Sequence, residues 1–131
     1  MQEERVEASF VAFSGCLYVC GGIYGSGRVR GRTLSSVERF SPERGSWEII
    51  SQMPQARAVA AAVGAGSRIY VLGGYGAFDA NEEFFWHSSG FTPGEQLSSC
   101  LSFDPLSLTW QELPSMPRLC GALFVGATLI Q

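Results

Sequence analysis

The chain has 131 residues, of which 46% are apolar, with 16 glycines, six prolines and a formal net charge of −3. That composition excludes a disordered chain and is long enough to bury one core. The mild acidity excludes nucleic acid and anionic membrane as expected partners. All nine basic residues are arginine, so the chain offers no lysine to ubiquitin or acetyl groups.

The predicted elements run as follows. Residues 1–5 are an acidic N-terminal tail without the apolar run of a signal peptide. Val6 to Phe13 reads as a first strand, A, and Gly15 turns the chain into strand B, Cys16 to Gly22, which is rich in β-formers. The pair Gly21-Gly22 closing a buried strand means that another backbone passes too close for a side chain. Ile23 to Leu34 carries Gly25, Gly27 and Gly31 among Arg28, Arg30 and Arg32, and is expected to be an exposed B–C loop. Ser35 to Phe40 is strand C, and Pro42 and Gly45 break the chain into a turn. Trp47 to Ile50 is strand D, ending before Met53-Pro54.

A second unit repeats this plan: A at Ala58 to Val63, B at Arg68 to Gly74, C at Ser98 to Phe103 and D at Thr109 to Leu113. Its B–C loop, 75–96, is much longer. A third unit starts at 118, with a strand over Gly121 to Gly126 and the entry to another at Leu129 to Gln131. The unit boundaries are therefore 6–54, 55–117 and 118–131.

The repetition is in register. Leu34, Phe40, Pro42, Trp47 and Met53-Pro54 return 63 positions later as Leu97, Phe103, Pro105, Trp110 and Met116-Pro117. Leu17-Tyr18-Val19-Cys20-Gly21-Gly22 returns 52 positions later as Ile69-Tyr70-Val71-Leu72-Gly73-Gly74. The difference, 63 − 52 = 11 residues, falls between Gly74 and Leu97, so one connection has been enlarged. Self-similarity at about 50 residues marks a repeat architecture. The apolar-Gly-Gly, aromatic-x-Pro and Trp elements in this order resemble the Kelch repeat, over nearly the whole chain. The resemblance implies an all-β fold, a partial Kelch β-propeller with about two four-stranded antiparallel blades and the start of a third. Phe40, Trp47, Phe103 and Trp110, with Gly21, Gly22, Gly73 and Gly74, are then structural repeat positions, the aromatics filling seams between blades. The family usually has tyrosine where Phe40 and Phe103 stand. A closed propeller takes about four to eight blades, so the chain reads as a fragment of a larger Kelch protein.

Chemistry is sparse. Cys16 and Cys20 lie on one face of one predicted strand, about 13 Å apart, beyond disulfide reach. Neither the cysteines nor His87 has zinc-finger spacing. Reduced thiols acting as small apolar residues suit a cytoplasmic, reducing compartment. The longest apolar stretch, Leu119 to Ile130, is about 12 residues and too short to cross a bilayer. With a single histidine, neither a Ser-His-Asp set nor the two-histidine copper site of an oxidase-type Kelch propeller can be assembled here. Gly25-x-Gly27 lacks phosphate-loop spacing. No catalytic residue, metal or cofactor is expected.

Binding is the expected role. The B–C loops and the D–A connections emerge at one rim. Arg28, Arg30 and Arg32 on the first loop, with Arg57 and Arg118 on the D–A connections, suit an acidic or phosphorylated peptide. Phe85, Trp86 and His87 belong to the second loop, which carries Phe78, Phe84 and Phe91 as well. Its aromatics either fold back on the blade or anchor a partner. Resemblance to Kelch-like proteins implies a substrate-recognition propeller for a cullin-RING ubiquitin ligase, which would reach the cullin only through BTB and BACK domains absent here. A cytoskeletal or scaffolding Kelch protein, or a fragment of a Kelch-propeller enzyme, is the alternative.

Overall fold

The computed structural model describes residues 1–24, 32–77 and 95–117. Within them the chain forms β1 (Ser9–Phe13), β2 (Cys16–Cys20), β3 (Ile23–Tyr24), β4 (Arg32–Thr33), β5 (Ser36–Ser41), β6 (Ser46–Gln52), β7 (Ala61–Ala65), β8 (Arg68–Leu72), β9 (Cys100–Asp104) and β10 (Thr109–Leu113). Strands β1, β2, β5 and β6 make one antiparallel sheet in that order, and β7, β8, β9 and β10 make the second. Each sheet is one of the two predicted A-B-C-D units. The expected beginning of a third unit, 118–131, lies outside the described residues.

Both first strands are shorter than expected. Glu7 and Val59, one repeat apart, each take a φ of 54°. A side chain in the left-handed region cannot continue a pleated strand, so pairing starts at Ser9 and Ala61. The residues before the kink pair elsewhere: Val6 bridges Ile23, and Ala58 bridges Tyr75.

The first B–C connection is not wholly an exposed loop. Ile23 is 1% exposed, and β3 pairs with β4 as a short ribbon. Gly21 and Gly22 also have positive φ, as do Gly73 and Gly74. A Cβ on Gly21 would sit 2.1 Å from the Arg57 carbonyl oxygen, and one on Gly74 would sit 2.5 Å from that of Ala58. Only glycine fits there.

The core lies between the two sheets. Tyr18, Cys20, Val37 and Met53 of the first unit meet Ile69, Val71, Leu101 and Phe103 of the second. Trp110 stacks on Phe103 at 4.6 Å, and its indole N–H donates to Ser51 Oγ across the seam at 2.9 Å. Phe13 fills the space above Gly64, where a Cβ would lie 2.5 Å from its ring. Phe103 is fully buried, which contributes about 2–3 kcal/mol by area alone.

The other aromatic pair, Phe40 and Trp47 at 5.2 Å, lies on the outer face of the first sheet. Phe10, Leu17 and Ile49 share that face and are 64%, 45% and 46% exposed. Residues 1–5, expected as a tail, lie over its inner half. The backbone N–H groups of Gln2 and Glu3 donate to Glu38, and Arg5 is 7% exposed.

Candidate functional site

The ends of β2, β6, β8 and β10 and the starts of β5 and β9 meet at one rim, because every pairing is antiparallel. Arg32, in β4, stands on this rim with its side chain 68% exposed. Its guanidinium lies 5.3 Å over the Tyr24 ring and 3.7 Å from Glu3 Oε1. Thr33 Oγ1 donates to the Gly76 carbonyl at 3.4 Å, which joins the ribbon to the second unit. Arg28, Arg30, Phe85, Trp86, His87 and Arg118 lie outside the described residues.

Arg57 is not on the surface of this rim. It is 1% exposed, and its NH1 donates to the Gly73 carbonyl at 3.0 Å and the Ser99 carbonyl at 3.2 Å, while NH2 donates to Ser99 Oγ at 3.0 Å. Its main chain meanwhile belongs to the first unit: Arg57 N–H donates to the Leu34 carbonyl and Gly22 N–H donates to the Arg57 carbonyl. The residue thus stitches two units together, which needs burial and removes its charge from direct surface contact. Burial holds its pKa below the ordinary arginine value, with Cys100 and Glu112 opposing.

Arg5 repeats this arrangement one unit earlier. Its NH1 donates to Gly21 and Ser36 carbonyls at 2.8 and 3.1 Å, and NH2 donates to Ser36 Oγ at 3.0 Å. Two carboxylates are added: Glu38 Oε2 at 2.6 Å and Glu3 Oε2 at 2.9 Å. Arg5 and Glu38 are both fully buried as side chains. A pair of that kind is harmful when broken, because the charge left behind has no water. Sequence reading overlooked this cluster. The signal was available, since Arg5 and Arg57 are 57 − 5 = 52 positions apart, as Gly21 and Gly73 are.

Beside Arg5, the Cys20 thiol is fully buried and pushed up to about 12, burial outweighing the pull of the Arg5 charge. It is an unreactive packing group. Cys16, Cys20 and Cys100 are free thiols.

The opposite rim carries a cleft of about 330 Å³ between the units, lined by Phe13, Tyr18, Arg39, Pro105 and Leu106 among others. Arg39 there is engaged by Glu48 at 2.5 Å, which holds the Glu48 carboxyl below its ordinary value. Among the described residues no grouping of three histidine, cysteine or acidic side chains could hold a metal ion.

Two four-stranded antiparallel sheets of identical strand order, packed face to face through an aromatic seam, are blades of a propeller. A family profile described as the Kelch motif matches residues 4–54 and 56–117, one match per sheet. The chain belongs to the Kelch-repeat family, and its described part is a partial Kelch propeller. Among curated proteins it is similar to mouse Kelch-like protein 26, 37% identical over 76 residues that cover 58% of this chain and 12% of that protein. It is similar also to mouse Kelch-like protein 35, 29% identical over 92% of this chain and 25% of that protein. An F-box/kelch-repeat protein of Arabidopsis thaliana is 35% identical over 81% of this chain and 19% of its own length. The chain therefore spans between 12% and 25% of these relatives. Of solved structures, that of YjhT superposes with a TM-score of 0.65 at 21% identity, covering 86% of this chain and 39% of that one. At that identity the likeness concerns the fold. Among the described residues no helix is long and apolar enough to cross a membrane.

Proposed function

We propose that the chain is a non-enzymatic protein-interaction module, the recognition part of a longer protein resembling the cullin-RING ligase adaptors of the Kelch-like group. The supporting observation is its membership of the Kelch family together with a rim on which Arg32, in β4, is exposed beside Tyr24. Kelch-like and F-box/kelch-repeat relatives share this repeat under different names, which favours a reading in which the repeat recognises and the rest of each protein varies. Any cullin would be reached through other domains. The contact residues we assign are Arg28, Arg30 and Arg32 on the first B–C connection, Phe85, Trp86 and His87 on the second, and Arg118. The free thiols support a reducing, cytoplasmic setting.

The ligand chemistry that fits is an acidic protein segment, since arginine forks bind carboxylates bidentately. The test is titration of the chain with acidic peptides and uncharged peptides of equal length. Acidic peptides should bind preferentially, and replacing Arg28, Arg30 and Arg32 together by serine should weaken them. Trp86→Ala and Phe85→Ala should weaken them further. Equal binding of acidic and uncharged peptides would overturn the reading.

A further inference from the structure

The turns between strands C and D of the two blades are built alike and held differently. Gly45 N–H donates to the Ser41 carbonyl and Leu108 N–H to the Asp104 carbonyl, each at 2.8 Å. Gly45 and Leu108 both take a left-handed φ, 64° and 58°. The turns match residue for residue, since 104 − 41 = 63, the offset of the repeat. In the second turn the Asp104 carboxylate closes the loop: its Oδ1 accepts from Leu106 N–H at 2.9 Å, and Ser107 donates to it as well. In the first turn the uncharged Ser41 stands in that place. Among the described residues its Oγ has no hydrogen-bond partner, and Glu43 N–H and Arg44 N–H, the counterparts of the Leu106 and Ser107 donors, have none either.

Ser41-Pro42-Glu43-Arg44 puts a proline directly after this hydroxyl and an arginine three positions on. Proline holds the residue before it extended and brings no N–H, so a serine kinase whose cleft offers no acceptor at that point selects it. An acidic groove on the same kinase takes the arginine. Both features are within reach. Ser41 is half-buried, residues 42–46 are exposed, and the Arg44 side chain is 72% exposed and 4.0 Å from Glu48. The chain's other hydroxyl–proline step, Thr92-Pro93, has Glu95 at the third position and so carries the opposite charge.

We propose that Ser41 is a phosphorylation site for a proline-directed serine kinase, and that the phosphate docks on its own turn as the Asp104 carboxylate does in the second blade. Ser41 Oγ takes the γ-phosphoryl group of ATP. The Oγ–P bond forms, the P–O bond to ADP breaks, and the hydroxyl proton passes to a base of the kinase. A phosphoserine brings about −1.5 to −2 charges and three acceptor oxygens. These accept from Glu43 N–H, Arg44 N–H and the Arg44 guanidinium as charge-assisted hydrogen bonds, against repulsion from the Glu43 and Glu48 carboxylates. The turn lies at the end of β5 away from the rim that carries Arg32, so the site stands apart from the interaction reading.

The test incubates the 131-residue chain with ATP, magnesium and a purified proline-directed kinase, and locates the phosphate by peptide mass spectrometry. One phosphate on Ser41 is expected, absent in Ser41→Ala and strongly reduced in Pro42→Ala. Arg44→Glu should slow the reaction by about tenfold, the worth of one lost charged contact. In the phosphorylated chain, phosphorus NMR should give a second phosphate pKa below the ordinary value of about 6, and the Glu43 and Arg44 N–H signals should titrate with it. Ser41→Asp should raise the urea midpoint, and Asp104→Ser should lower it. An unphosphorylated Ser41, phosphate on Thr92 in its place, or an equal rate with Arg44→Glu would overturn the kinase site. A phosphate that titrates at about 6 beside unmoved Glu43 and Arg44 signals would overturn the docking.

Discussion

The two blades share strand order, turn positions and a kinked entry to the first strand, yet they keep their charges and aromatics differently. In the first blade Arg5 is neutralised by Glu38 and Glu3, and the Phe40–Trp47 pair is half-buried on an outer face. In the second blade Arg57 has, among the described residues, backbone and hydroxyl partners and no acid, and the Phe103–Trp110 pair packs into the seam. Repetition of sequence therefore fixes where the chain goes, while each side chain's contribution depends on which face its neighbour covers.

The largest expected effect tests the aromatics. Phe103→Ala should lower the urea-derived stability of the chain by about 3–5 kcal/mol, through the cavity it leaves. Phe40→Ala, at the matching position, should lose less, about 1–2 kcal/mol, since its ring is only partly buried. Equal losses would erase the distinction between seam and outer face.

Next comes the arginine comparison. Glu38→Leu turns the first blade into the second at this position and strands Arg5 beside Glu3 alone. A loss of about 3 kcal/mol is expected, and a neutral result would show that Glu38 is dispensable. Ser36→Ala and Ser99→Ala remove matching hydroxyls. The first should cost about 2 kcal/mol and the second about 1 kcal/mol, because Ser36 also donates to the Glu3 carboxylate. Denaturant curves of the two variants measured together would reveal an inverted order, if there is one.

Smaller effects lie in titration. The Glu48 carboxyl is lowered by the Arg39 hydrogen bond, and that of Asp104 by the Leu106 N–H. A lowered carboxylate stabilises above its unfolded value, 4.5 for Glu48 and 3.8 for Asp104, and that contribution is lost as pH falls below it. Glu48→Gln and Asp104→Asn should each flatten the acid limb of a stability–pH curve. At the alkaline end Cys20 has the opposite sign. Its thiol rises from 9.0 to about 12, so its contribution is full below 9.0 and fades as pH climbs toward 12. Alkylation at pH 8 should mark the half-exposed Cys16 well before Cys20; early labelling of Cys20 would contradict its burial.

Much of the fold was legible. Thr109 to Leu113 was placed at its observed bounds, and the aromatic and glycine spacing located both sheets. The entry to each first strand was misread because Val6-Glu7-Ala8 and Ala58-Val59-Ala60 carry no glycine or proline to announce a positive φ. That conformation is held by backbone bonds to other segments, among them Val59 N–H to the Glu7 carbonyl at 2.9 Å. At the candidate site, charge could be read but depth could not. Arg32 and Arg57 look alike as basic residues near connections, and one is exposed while the other is buried.

By itself the sequence determined the repeat, its family, the strand order it implies and the enlarged connection between Gly74 and Leu97. These follow from periodic apolar, glycine and tryptophan positions, each of which acts locally or on the adjoining strand. Only the tertiary structure decided that Arg5 and Arg57 are buried stitches, that Glu38 is a buried counter-ion and that Phe103 is sealed in the seam while Phe40 is not. Such outcomes depend on which sheet face meets which segment. A blade of one unit and the connection from its neighbour together create the burial, and no single stretch of residues contains that information.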